Sequence, residues 1–135
     1  MTEESAKTNP FLDHLFRVCE DRGDRAALRR YWSPTTRHMA YPILGKLSAL
    51  KDVRKSILAG LYAEHPLHRG GGGIGRAALQ LGERRDGEHP YDRHFRRLLA
   101  CEEIAELGQQ LHRLVKRLDR DKVGLDFDRV LRDLN

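Results

Sequence analysis

The chain has 135 residues, 33% of them charged, with 25 Lys and Arg against 20 Asp and Glu for a formal charge of +5. That length fits one domain, excludes most two-domain enzymes, and is enough to bury a core without a metal or disulfide staple. The cationic excess favours a polyanionic partner, nucleic acid first, and the lack of any long apolar run excludes a transmembrane helix. Cys19 and Cys101 stand far apart and form no framework, so the composition suits a reducing compartment, the cytoplasm. Residues 1–8 carry Glu3, Glu4 and Lys7 with no apolar stretch. They read as a flexible N-terminal tail, not a secretory signal, ahead of a single helical domain over 9–135.

The periodicity from there on is helical. Asn9-Pro10 is a helix start, with Asn at the cap and Pro in the first turn, and Phe11, Leu12, Leu15, Phe16 and Cys19 follow at helical spacing. Gly23 stands where a C-cap glycine belongs, and Asp24 is placed to cap a short second helix over 25–32, which Pro34 ends. A third helical stretch covers about 36–47, and Pro42 inside it predicts a kink or a division. The fourth helix covers about 52–64 with Val53, Ile57 and Leu61 inward, and His65-Pro66 stops it.

Gly70 to Gly73 are four consecutive glycines, too costly in backbone entropy to hold regular structure, so a loop is expected there. A short helix over 74–81, a polar loop over 82–90 and a sixth helix over 91–100 come next. The seventh and clearest covers 102–118, with Ile104, Leu107, Leu111, Leu114, Val115 and Leu118 in one stripe. Val123-Gly124-Leu125-Asp126 breaks and recaps the chain before a last helix over 127–134, built on Phe127, Val130, Leu131 and Leu134. Alternating strand patterns and internal repeats are absent. The fold class is all-α, a single compact bundle of about seven to eight helices.

Catalytic and cofactor chemistry find little support. Gly70, Gly72 and Gly75 match a dinucleotide fingerprint only because a glycine run produces one, and the strand and sheet it needs are missing. Arg76-Ala77 follow Gly75 where a phosphate-binding loop needs Lys and then Ser or Thr. Among seven histidines only His65 and His68 are close, separated by Pro66, and neither cysteine has a neighbour, so no metal site is expected. Ser5, Ser33 and Ser48 lack a nucleophile context, while Glu102, Glu103 and Glu106 suit the positive end of a helix. The chain reads as a non-enzyme with no cofactor.

The informative feature is the spacing of the cations. Arg22, Arg25 and Arg29 stand at i, i+3 and i+7, and Lys51, Arg54 and Lys55 at i, i+3 and i+4. Arg93, Arg96 and Arg97 repeat that pattern, and Arg113, Lys116, Arg117 and Arg120 extend it over two turns. Such residues share a helical face, where like charges repel, so a sequence shaped by helix stability alone would interleave Glu. On the sixth and seventh helices the basic set points away from the apolar stripe. Guanidinium groups suit phosphate, whereas aromatics at 7% offer no stacking platform, so sequence-independent backbone contact is the expectation. The candidate nucleic-acid-binding residues are Arg25, Arg29, Arg30, Lys51, Arg54, Arg76, Arg93, Arg96, Arg113 and Lys116.

Several short runs carry a family resemblance. Gly75-Arg76-Ala77-Ala78-Leu79, then Arg93-His94-Phe95-Arg96-Arg97-Leu98-Leu99-Ala100, resemble the CasB family, the small subunit of the type I-E CRISPR complex called Cascade. Gln110 to Val115, Leu125-Asp126-Phe127 with Val130 to Leu134, and Ala27-Leu28-Arg29-Arg30 are similar to its other helices, in the same order. The resemblance spans about residues 11–134. It implies an architectural subunit, present in two copies, that braces the hybrid of crRNA and target DNA and the displaced non-target strand through backbone contacts. It implies other Cascade subunits and a second copy of the chain as partners. Arg29, Arg30, Arg76, Arg93 and Arg113 match basic positions of the family, and Lys51 lies near another. Two rival readings stay open: a free-standing basic helical DNA-binding regulator, and a scaffold that binds only protein.

Overall fold

The computed structural model describes residues 9–70 and 103–134. Among them lie six α-helices and two 3-10 turns: α1 Pro10–Val18, α2 Arg22–Arg29, turns Arg30–Trp32 and Arg37–Ala40, α3 Tyr41–Lys46, α4 Val53–Glu64, α5 Ile104–Asp121 and α6 Phe127–Leu134. The protein is all-α, and its described residues hold six α-helices against the seven to eight expected of the whole chain. Two of the expected ones, over 74–81 and 91–100, fall outside the described residues. The one strand-like feature described is an isolated parallel bridge between His68 and Leu125, carried by Arg69 N donating to Leu125 O at 3.0 Å and Leu125 N to Leu67 O at 3.1 Å.

Helix α1 starts as its sequence dictates: the Asn9 side chain accepts from Phe11 N at 2.8 Å and Pro10 lies in the first turn. The start of α2 differs from expectation. Asp21, not Asp24, is the cap, its Oδ2 accepting from Asp24 N at 2.8 Å, so Gly23 is inside the helix and caps nothing. The stretch expected to continue to Trp32 tightens into a 3-10 turn after Arg29. Pro42 divides the next stretch as predicted, a 3-10 turn before it and α3 with the proline in its first turn.

Helix α4 is the hub, packed against α2, α5 and α6. Asp52 caps it through Arg54 N and Lys55 N. Ile57 and Leu61 are buried as expected, but Val53 is 40% exposed, because it sits in the first turn ahead of the packed segment. From Ser56 on, the helix is buried nearly all round: Leu58, Ala59, Gly60 and Ala63 join the stripe residues. Two glycines permit the close packing. A Cβ on Gly60 would lie 2.9 Å from the Trp32 ring, and one on Gly108 of α5 would lie 3.0 Å from Ile57 Cδ1. The buried Ser56 hydroxyl donates to Ala49 O at 2.7 Å.

Helix α5 ends on Lys122 in the left-handed region, φ 60°. Its stripe holds: Leu111, Leu114, Val115 and Leu118 are buried, with Ile104 and Leu107 packed partly against the core. The buried His65 ties the end of α4 to this corner, Nδ1 lying 3.0 Å from Asp119 Oδ1 while Nε2 donates to Val123 O at 2.6 Å. Asp126 opens α6 by accepting from Arg129 N, and Phe127, Val130, Leu131 and Leu134 are all buried.

Candidate nucleic-acid interface

The packing sorts the ten candidate cations into groups. Arg25 and Arg54 are turned to helix ends. Arg25 Nε donates to Ala63 O at 2.8 Å in the last turn of α4, and Arg54 Nε to Leu134 O at 2.6 Å at the end of α6. The last carbonyls of a helix have no partner within it and carry its negative pole, so a guanidinium there completes the helix. Arg30, Lys51, Arg113 and Lys116 are exposed, and no side-chain hydrogen bond or ion pair holds them among the described residues. Arg76, Arg93 and Arg96 lie outside the described residues.

Arg29 stands between these groups. Its Nε and Nη2 both lie 3.0 Å from Glu64 Oε2, and its side chain is 52% exposed. The other oxygen of Glu64, Oε1, accepts from His112 Nε2 at 2.8 Å. The His112 ring stacks on Trp32 with centroids 4.4 Å apart and planes 9° apart. Glu64 is held below the ordinary carboxylate value of 4.5, first by the His112 hydrogen bond, with Arg29 adding and burial opposing.

This linkage brings two of the basic faces together. Lys116 stands one turn beyond His112 on α5, and Arg113 lies three residues before Lys116, so Glu64 joins Arg29 of α2 to the helix that carries these exposed cations. Lys51 and Arg54 do not join them, being at the other end of α4, about 15 Å away along the helix. On α5 the cationic face is as the spacing predicts for Arg113, Lys116 and Arg120, all exposed. Arg117 falls at its edge, half-buried beside Asp121 at 3.3 Å. Arg22 is exposed and Lys55 lies over the Phe11 ring at 5.5 Å.

Sequence reasoning missed Glu64, His112 and Trp32 as members of one network. The available signal was Glu64 itself, the only acidic residue within α4.

Among the described residues no group of three or more His, Cys, Asp or Glu is gathered to hold a metal ion, and no helix is long and apolar enough to cross a membrane. The Cys19 thiol is buried and pushed up to about 12, chiefly by that burial. Fold and surface define a small, basic, all-α protein with exposed cations, among them Arg113, Lys116 and Arg120 on one face of α5. The chain belongs to the CRISPR-associated protein Cse2 family, whose model matches residues 24–135. Cse2 is the CasB small subunit of type I-E Cascade, a structural subunit and not a known enzyme. No curated protein and no solved structure matches the chain.

Proposed function

We propose that the chain is the non-catalytic small subunit that stabilises the R-loop within type I-E Cascade. It contacts phosphates of the crRNA–target hybrid and of the displaced non-target strand. The contacts come from Arg29, Arg30, Lys51, Arg113 and Lys116, together with Arg76, Arg93 and Arg96. Other Cascade subunits and a second copy of the chain are its protein partners, and the cytoplasm its compartment. The observation that carries the reading is the exposed α5 face, where Arg113, Lys116 and Arg120 stand without a side-chain partner among the described residues. Like charges at helical spacing cost the helix stability unless an outside anion meets them. Guide pairing then reads sequence, while the protein meets the backbone.

The test is R113Q/K116Q assembled into the complex, with target-DNA retention measured across salt. The slope of log K against log salt should fall by about 0.9 for each lost duplex phosphate contact, equally for every target matched to its guide. An unchanged slope refutes the reading. Size-exclusion chromatography of native material separates the rivals. A large RNA-containing particle supports the proposal, a free dimer on duplex DNA a regulator, and a nuclease-resistant protein assembly a scaffold.

A further inference from the structure

Arg29 differs from Arg30, Lys51, Arg113 and Lys116 because side-chain partners fix its orientation. The support begins in the core. Trp32, 8% exposed, is seated against Gly60 and stacks on His112. His112 Nε2 donates to Glu64 Oε1 at 2.8 Å, and Glu64, its side chain 14% exposed, takes Arg29 Nε and Nη2 on Oε2. A guanidinium is planar, with its N–H groups in a fixed fork. With Nε and the inner N–H of Nη2 turned to Glu64, the free donors are those of Nη1 and the outer one of Nη2. They form the end edge of the fork, which matches two oxygens of a phosphate.

We propose that Glu64 is a positioning residue for nucleic-acid backbone: it aims Arg29 so that the end of its fork meets a phosphate. Arg29 is then the pre-ordered contact of the surface, while Arg30, Arg113 and Lys116 order only on binding. Immobilising a long side chain opposes association, and at Arg29 the fold has already met that cost. The inference rests on the nucleic-acid reading above. It also runs against the simplest electrostatic expectation. Removing Glu64 adds a net positive charge beside the surface, which by itself tightens polyanion binding. Positioning predicts the opposite sign.

The experiment uses the full chain in the assembled complex, with matched target DNA titrated between 50 and 200 mM salt. E64A is expected to weaken binding about tenfold and to reduce the salt slope by about 0.9, as is R29A. The double variant should be no worse than R29A alone. E64Q, which keeps an acceptor for Arg29, should recover most of the loss. R29K keeps the charge without the fork, so it is expected to bind as weakly as R29A. The fluorescence of Trp32, the one tryptophan of the chain, and the melting temperature check that each variant is folded. Unchanged or tighter binding in E64A overturns the proposal. Wild-type affinity in R29K also overturns it, even if E64A fails to fold. R113Q/K116Q in the same series separates the two failures. If that variant weakens binding while E64A does not, the positioning role alone is wrong. If it has no effect, the surface is wrong and the positioning role with it.

Discussion

Arg25 and Arg54 carry charges whose spacing assigns them to a binding face, and in the structure each of them holds a helix end. Each sends Nε into the carbonyl end of a helix contributed by distant sequence, Arg25 to Ala63 and Arg54 to Leu134. A hydrogen bond from a charged donor contributes roughly 1.5–3 kcal/mol when buried. Arg25 is half-buried and Arg54 exposed, so solvent screening reduces this to about 1–2 kcal/mol for each. Substitution by Met keeps the aliphatic stem and helix propensity while removing the donor. R25M and R54M should each lower the melting temperature by about 4–8 °C for a domain of this size. The two sites lie at opposite ends of α4, so the losses should add. Thermal unfolding followed by circular dichroism reads the stability, and target-DNA binding across salt reads the surface. The salt slope should stay at the wild-type value in both variants, whereas R113Q should lower the slope with melting unchanged. A fall in slope by about 0.9 with melting unchanged in R25M or R54M would refute the assignment.

G60A should destabilise by about 1–3 kcal/mol in urea unfolding despite the gain in helix propensity, because the new Cβ meets the Trp32 ring at 2.9 Å. Cys19, pushed up to about 12 by burial, should resist alkylation at pH 8 in the native state of a C101S variant and react at once on unfolding. The Glu64 carboxyl is lowered in the folded chain, first by the His112 hydrogen bond and then by Arg29. Its contribution to stability is therefore fully present above its unfolded value of 4.5 and is lost as pH falls through the lower folded value. Acid titration of unfolding should show E64Q flatter than wild type as pH falls from 4.5 through that lower folded value, and parallel curves across this window would contradict the network.

What could be read from the sequence was what is decided locally. Phe127, Val130, Leu131 and Leu134 are at helical spacing, and all four are buried. Pro42 lacks an N–H, and the chain divides there. At α2 the sequence points to Asp24 as cap, and Asp21, three residues earlier, takes that place. The choice of Asp21 leaves the Asp24 carboxylate free to face Lys46 at 3.8 Å, a partner on α3 that local reading does not reach. The full burial of α4 is not legible in its sequence because Ser56, Ala59, Gly60 and Ala63 are small and give no apolar period, yet small residues are what close packing requires. The cations divide along the same line. Exposure on α5 follows from the stripe beneath it. The fates of Arg25, Arg29 and Arg54 depend on partners 38, 35 and 80 residues away.

Helix α4 therefore sets the distance between the basic residues described at its two ends. One end holds Glu64, with Arg29 and His112 on its carboxylate. The other end holds Arg54, with the exposed Lys51 just before the cap. Between them the helix is buried nearly all round and cannot bend without disturbing α2, α5 and α6 together. The two ends are thus held about 15 Å apart. Along duplex nucleic acid that distance corresponds to roughly four base steps at about 3.4 Å each. On the proposed function, with Arg29 at one end and Lys51 beside the other meeting phosphates, a spacing fixed by packed backbone is indifferent to which bases lie between them. That is the property the proposed function requires of a subunit serving every guide, since its contacts would have to hold their positions while the sequence beneath them changes.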